Sequence, residues 1–173
     1  MLYFTSDEHY GHKNVIKYCN RPFADTDEMD SYLITKHNEL VQENDTVIHV
    51  GDFTLKGLKP ALEYISKLNG SHIFLQGSHD YWLKKSKLPL IQIWEDKVDD
   101  VYLVACHYAM RTWPRSHYNS WQLFGHSHGN LNGIGKQYDV GVDNNDFAPV
   151  SFEKLKKIMS SLLDNFNCVK ENK

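Results

Sequence analysis

The sequence predicts one α/β domain over residues 1–166, with a polar tail over 167–173. Three observations carry this. Short apolar runs alternate with stretches whose apolar residues recur at helical spacing. The 173 residues amount to about one domain at roughly 150 residues each, and no repeat, low-complexity tract or linker divides them. A hydrophobic content of 41 % and a charged content of 24 % are ordinary for a globular chain and exclude a disordered or fibrous one.

In order, Leu2-Tyr3-Phe4-Thr5 reads as a strand stopped by Ser6-Asp7. Asp25 or Thr26 can cap a helix, with Glu28 three residues after Asp25, and Met29, Tyr32, Leu33, Leu40 and Val41 form its apolar face. Thr46 to Val50 is a β-branched strand ending at Gly51-Asp52. Leu58, Leu62, Ile65 and Leu68 make a second helical stripe, stopped by Asn69-Gly70. Further strands are expected at His72 to Leu75, around Ile91 to Trp94, at Val101 to Cys106, at Trp121 to Phe124 and at Tyr138 to Val142. Ser151 then caps a last helix with the stripe Phe152, Leu155, Ile158, Met159, Leu162 and Leu163.

Several function classes drop out. The longest uninterrupted apolar run is Val101 to Cys106, far short of the roughly 20 residues of a membrane span. The first residues lack the basic and apolar regions of a signal peptide. Cys19, Cys106 and Cys168 show no metal spacing and are too few for a disulfide framework, so a cytoplasmic setting is expected. A formal net charge of -3 provides no global attraction to membrane or nucleic acid, and stable nucleic-acid binding is not expected.

Ten histidines stand out, and many follow directly on strands. The clusters are Asp7-Glu8-His9, Gly51-Asp52, Gly77-Ser78-His79-Asp80, His107 and Gly125-His126-Ser127-His128. Ligands collect beyond the carboxyl ends of strands in α/β sheets. Residues two apart at a strand end point to one side, so Asp7 with His9, and His126 with His128, can each reach one ion. Carboxylate and imidazole without thiolate suit Mn, Fe, Zn or Ni better than Ca. The ligands outnumber the needs of one ion, and two ions sharing a carboxylate at roughly 3.5–4 Å is an arrangement used for phosphoryl chemistry.

In this order the motifs resemble those of the calcineurin-like metallophosphoesterase superfamily, especially its small single-domain bacterial and phage-type members. The family pattern is D-x-H, G-D, G-N-H-[DE], a lone H and G-H-x-H, and here it spans residues 7 to 128. The stretch Tyr138 to Asp143 is also similar to the strand that follows the last motif. The resemblance implies a four-layer αββα sandwich of two mixed β-sheets flanked by helices. It implies two divalent cations, Mn first among the options. Asp7, His9, Asp52 and His128 would hold one; Asp52, residue 78, His107 and His126 would hold the other. A hydroxide between the ions would attack phosphorus in line, His79 would protonate the leaving oxygen, and Asp80 would hold the His79 imidazole. The implied activity is hydrolysis of a small phosphate monoester or diester, with nucleotides a reasonable substrate class. Ser78 departs from the pattern, which has asparagine there, and the lost carboxamide predicts a weaker second site and slower turnover. The alternative is a metal- and phosphate-binding module with little turnover.

The remaining residues are read more plainly. His37 and His49 suit hydrogen-bonded structural roles, and His72 a solvated strand start. Glu8 points away from its neighbours. His12 can touch substrate or serve a loop hydrogen bond. In the basic, aromatic segment from Tyr108 to Tyr118, Arg111 or Arg115 can hold a phosphate at the mouth of the site, or can be a solvated surface charge.

Overall fold

The computed structural model describes residues 1–169; the part of the expected tail over 170–173 lies outside the described residues. Strands β1 (Leu2–Thr5), β2 (Thr46–His49), β3 (Ser71–Phe74) and β8 (Val150–Ser151) form one sheet in the order β3-β2-β1-β8. The first three run parallel and β8 antiparallel. Strands β4 (Ile93–Val98), β5 (Val101–Cys106), β6 (Trp121–Phe124) and β7 (Gln137–Asp139) form the second sheet in that order. Here β4 and β5 are an antiparallel pair, and β5, β6 and β7 run parallel.

The two mixed sheets share one core. Phe4, Ile48, Val50 and Leu75 of the first meet Leu103, Ala105, Leu123 and Val140 of the second. Side chains alternate across a strand, so Tyr3 and Val47 face the other way, onto Val41. Helices flank this sandwich. Met29 and Leu33 of α2 (Thr26–Leu40) and Ala61 of α3 (Leu58–Ile65) pack with Phe53, Phe74 and Trp82. Phe152, Leu155 and Met159 of α4 (Phe152–Ser161) join the inter-sheet core beside β1 and β8.

The caps follow the sequence closely. Asp25 accepts the N–H groups of Asp27 and Glu28, and Ser151 accepts that of Lys154. Glu28 reaches back to the Ala24 N–H at 2.7 Å, one residue before the position a capping box uses. Some elements differ from expectation. The strand expected near Ile91 to Trp94 begins at Ile93 and runs to Val98, because it pairs with the whole of β5. The strand expected over Tyr138 to Val142 ends at Asp139, and Val142–Asn144 is a 3-10 turn. A short helix α1 (Lys13–Tyr18), not expected, buries Val15. Beyond α4, Asn165 donates to Ser116 and Ser120 carbonyls, Asn167 to Ser116 Oγ, and the Val169 N–H to His117 O.

Parallel pairing has one consequence for function. The carboxyl ends of β1, β2 and β3 lie along one rim, as do those of β5, β6 and β7. The rims are joined where Ser6 bridges Gly141, with the Val142 N–H donating to Ser6 O at 3.0 Å.

Candidate metal centre

Every motif read from the sequence leaves a strand at this double rim. There the backbone turns sharply: Asp7, His9, Asp52, His126 and His128 all have left-handed φ, between 48° and 67°. Such conformations cost non-glycine residues on the order of 1–3 kcal/mol each and persist where surrounding structure enforces them. Backbones and side chains also crowd here. A Cβ at Gly77 would overlap the Asp52 side chain, and one at Gly125 would stand 2.5 Å from Asp7 Oδ2.

The side chains gather in two groups. Asp7, His9 and His128 can present ligand atoms within 4.8 Å of one another, and so can Asp52, His107 and His126. Asp52 lies between the groups, its Oδ2 3.7 Å from His9 Nε2 and 3.3 Å from His107 Nε2. Ser78 Oγ donates to Asp52 Oδ2 at 2.9 Å, and the His79 N–H donates to Oδ1 at 2.8 Å. His107 Nδ1 bonds the Val50 carbonyl at 2.9 Å and His128 Nδ1 bonds Asp143 Oδ2 at 2.7 Å, which leaves each Nε2 facing inward.

The electrostatics suit a cation. Burial raises the Asp7 carboxyl to about 7 and lowers His9 to about 3. Burial opposes the charged forms of Asp52 and His107 too, but their mutual attraction prevails. It holds Asp52 below the ordinary carboxylate range and lifts His107 to about 8. The decisive observation is that His9 Nε2 and His107 Nε2 are enclosed with no hydrogen-bond partner. A buried unsatisfied polar group costs about 1–3 kcal/mol, and a cation on each side of Asp52 would satisfy one nitrogen apiece. The donor set, imidazole nitrogen and carboxylate oxygen, fits a first-row divalent ion. Such an ion would displace the protons that Asp7 and His107 hold near neutral pH.

Three residues expected at the site do other work. Asp80 does not orient His79. Its buried carboxylate accepts the N–H groups of Asp52, Phe53, Thr54 and Gly77 and of the Trp82 indole, so it shapes the Asp52 turn instead. Arg111 lies over the Phe166 ring at 5.0 Å, and Arg115 over Tyr102 at 4.5 Å, near the start of β5 and so at the far end from His107. The Tyr102 face thus holds the Arg115 guanidinium away from the rim, and the Phe166 face carries that of Arg111. His12, in contrast, reaches the site: its Nδ1 is 3.3 Å from His9 Nδ1, and its ring centroid is 6.0 Å from that of His79. Glu8 is turned away, bonding His49, which in turn bonds His72; His72 is therefore a partnered residue rather than a solvated one.

The sequence reading missed Arg21. Its buried guanidinium grips both Asp143 oxygens at 2.7 Å and donates to the carbonyls of Asp7 and Glu8. Asp143 thereby steadies His128 while Arg21 steadies the Asp7 loop, the kind of outer support that fixes ligand orientation. The Asn20-Arg21-Pro22 loop carries no pattern that marks this role, and the contact joins residues far apart in the chain.

No protein-family model matches the chain. It is 31 % identical over 167 residues to the uncharacterized protein MJ1445 of Methanocaldococcus jannaschii, covering 91 % of this chain and 90 % of that protein. Among solved structures, a protein of unknown function from Aquifex aeolicus, AQ665, superposes with a TM-score of 0.73 at 24 % identity, over 91 % of this chain and 98 % of that one. The E. coli phosphoesterase YfcE is a looser match, with a TM-score of 0.44 at 15 % identity over 81 % and 77 % of the two chains. The likeness to AQ665 shows a shared fold, and the identity to MJ1445 over nearly both lengths shows a shared family. Five ordered motifs meet on the rim of two mixed sheets, and the chain belongs to one family with MJ1445.

Proposed function

We propose that this protein is a phosphoesterase that uses two divalent cations to hydrolyse a small phosphate monoester or diester. The observation that carries this is the pair of ligand groups on either side of Asp52, each with a buried imidazole nitrogen lacking a partner. Asp7, His9 and His128 would hold one cation, His107 and His126 the other, and Asp52 both; Mn is the leading choice, with Fe, Zn or Ni also suited to the donors. When bound, such ions activate water as a nucleophile and offset charge on the phosphate oxygens.

The protein's own part is positioning and proton transfer. Asp52 Oδ1 holds the backbone of His79, whose half-exposed ring stands with Nε2 4.0 Å from Asp52 Oδ2. From there His79 delivers a proton to the departing ester oxygen. His12 lies beside it and lines the approach. Among the described residues no helix is long and apolar enough to cross a membrane. The thiols of Cys19, Cys106 and Cys168 are free, which supports a cytoplasmic setting.

His79→Gln tests the acid role. Hydrolysis of a methyl ester, with its poor leaving group, should slow by about 10²–10⁴-fold. Hydrolysis of the matching 4-nitrophenyl ester should slow far less, because that phenolate departs without a proton. Equal losses on both esters would show that His79 supplies no proton.

Ser78 bears on the second cation. Its hydroxyl donates to Asp52 and offers no carboxamide oxygen. Ser78→Asn should raise the number of ions retained after gel filtration and raise turnover at limiting Mn. Unchanged metal content and rate would remove Ser78 from the account of this site.

A further inference from the structure

On the side of the first sheet that faces α2 and α3 lies a buried polar chain with no part in the chemistry described above. It starts at Glu8, the residue between Asp7 and His9. The Glu8 carboxylate turns away from the candidate metal centre, and its Oε1 lies 2.5 Å from His49 Nδ1. His49 Nε2 lies 3.0 Å from His72 Nδ1, and His72 Nε2 donates to the Leu68 carbonyl at 3.5 Å. Strand geometry brings these side chains together. Ile48 and Val50 enter the inter-sheet core, so Val47 and His49 point the other way. The β2–β3 register sets His72 beside Val47 and Phe74 beside His49. Phe74 stacks on the His49 ring with centroids 4.5 Å apart, and Phe53 meets that ring edge-on at 5.2 Å. His37 of α2 lies parallel to it at 6.3 Å. Aromatic packing and two polar contacts thus fix the His49 imidazole.

Burying such a chain is unfavourable for folding alone. Glu8 and His49 are 3 % and 0 % exposed, and Glu8 Oε2 has no hydrogen-bond partner. Apolar side chains of similar volume often stabilise a fold as well as a buried polar pair does. What the polar pair adds is a single arrangement. Here that arrangement governs two ligands, because Glu8 sits between them. Asp7 and His9 have φ of 60° and 53°, and their N–H groups donate to the Gly51 and Asp52 carbonyls at 3.0 Å each. With the Glu8 side chain anchored behind the sheet, the side chains on either side of it stay aimed at the rim. From the contacts of His49 with Glu8 and with His72, we infer that His49 is a positioning residue for the cation site of Asp7, His9 and His128, acting through Glu8. Without His49, Glu8 Oε1 loses its partner as well, and the carboxylate moves toward water, carrying the Asp7 and His9 backbone with it. The other group is held by other means. Asp80 accepts the Asp52 N–H, and the Val50 carbonyl fixes His107. The damage therefore falls on one of the two cation sites. This inference rests on the two-cation reading above and deepens it.

The test titrates the chelator-treated full chain with Zn²⁺ alone and follows the ring ¹⁵N signals of His9 and His107, one from each group. In the wild type both signals should move as zinc binds. His49→Ala should weaken the zinc binding that His9 reports by about 10–100-fold and leave that reported by His107 within about threefold, as expected when the support behind one ligand set is removed. His49→Asn places its amide near the position of Nδ1 and keeps the contact to Glu8, so it should recover most of the affinity at His9. The double change Glu8→Leu with His49→Leu strands no polar group. It should unfold at a temperature close to that of the wild type and still bind zinc at His9 about tenfold or more weakly. Wild-type affinity at His9 in the double variant overturns the inference, because packing alone then suffices. So do equal losses at His9 and His107 in His49→Ala, no loss there, or no recovery in His49→Asn. If His49→Ala does not fold, the asparagine and double-leucine variants decide in the same terms. These outcomes leave the two-cation reading intact; a wild type whose His9 and His107 signals both ignore zinc overturns that reading and the inference with it.

Discussion

Asp52→Asn should lower phosphoester turnover by on the order of a thousandfold or more, equivalent to roughly 4 kcal/mol of transition-state stabilisation. It should also reduce the metal retained after gel filtration. Asparagine keeps the shape of the side chain but loses its charge and one acceptor oxygen. Asp52 Oδ2 lies 3.7 Å from His9 Nε2 and 3.3 Å from His107 Nε2, so a single amide nitrogen there would face two imidazoles and two would-be cations. The change also has a titration signature. His107 is raised to about 8 because the Asp52 carboxylate outweighs burial; with that charge removed, burial prevails and the imidazole should titrate lower. Turnover on an activated diester, metal analysis by mass spectrometry and the His107 ring signals in NMR read the three effects. Turnover and metal content like those of the wild type would dismiss Asp52 as the residue shared by both groups.

Asp80→Ala should be the most destabilising single change near the site, by about 3–5 kcal/mol, because it strands several buried donors at once. Oδ1 accepts the Phe53, Thr54 and Trp82 indole N–H groups at 3.0, 3.3 and 3.0 Å. Oδ2 accepts those of Asp52 and Gly77 at 2.6 and 2.9 Å. Each orphaned N–H costs about 1–3 kcal/mol, and partial hydration after the mutation keeps the total below the sum. Against a total stability of roughly 5–15 kcal/mol, the variant should unfold at much lower urea. Asp80→Asn, which retains one acceptor oxygen, should fall between it and the wild type. A loss under about 1 kcal/mol for the alanine variant would mean that solvent reaches these donors and that Asp80 does not build the turn.

Much of this architecture can be read directly from residues. The rim residues were legible because each closes an apolar strand, and a break from Val-Ile-His-Val to Gly-Asp, or from Leu-Val-Ala-Cys to His, is visible in one dimension. The lower edge of the second sheet was harder to place. β4 carries Glu95, Asp96 and Lys97 on an exposed strand, so no apolar run marks its length, and its extent comes from pairing with β5. Helix α1 has no side-chain cap and few apolar residues to announce it. The role of Asp80 was misread for a physical reason: adjacency to His79 suggests a partnership, whereas the chain turns so that the carboxylate faces inward to backbone N–H groups. Arg21 and Asp143 form a clamp across the tertiary structure, and no local pattern encodes such a pair.

The Ser6–Gly141 bridge joins two rims that belong to different halves of the chain. Asp7 and His9 come from the first half and their companion His128 from the second; Asp52 comes from the first and its companions His107 and His126 from the second. Neither half owns a complete set of ligands. Any cation seated here would therefore clasp the halves together like a rivet through two plates, and loading the ions would tighten the whole sandwich as well as arm its chemistry.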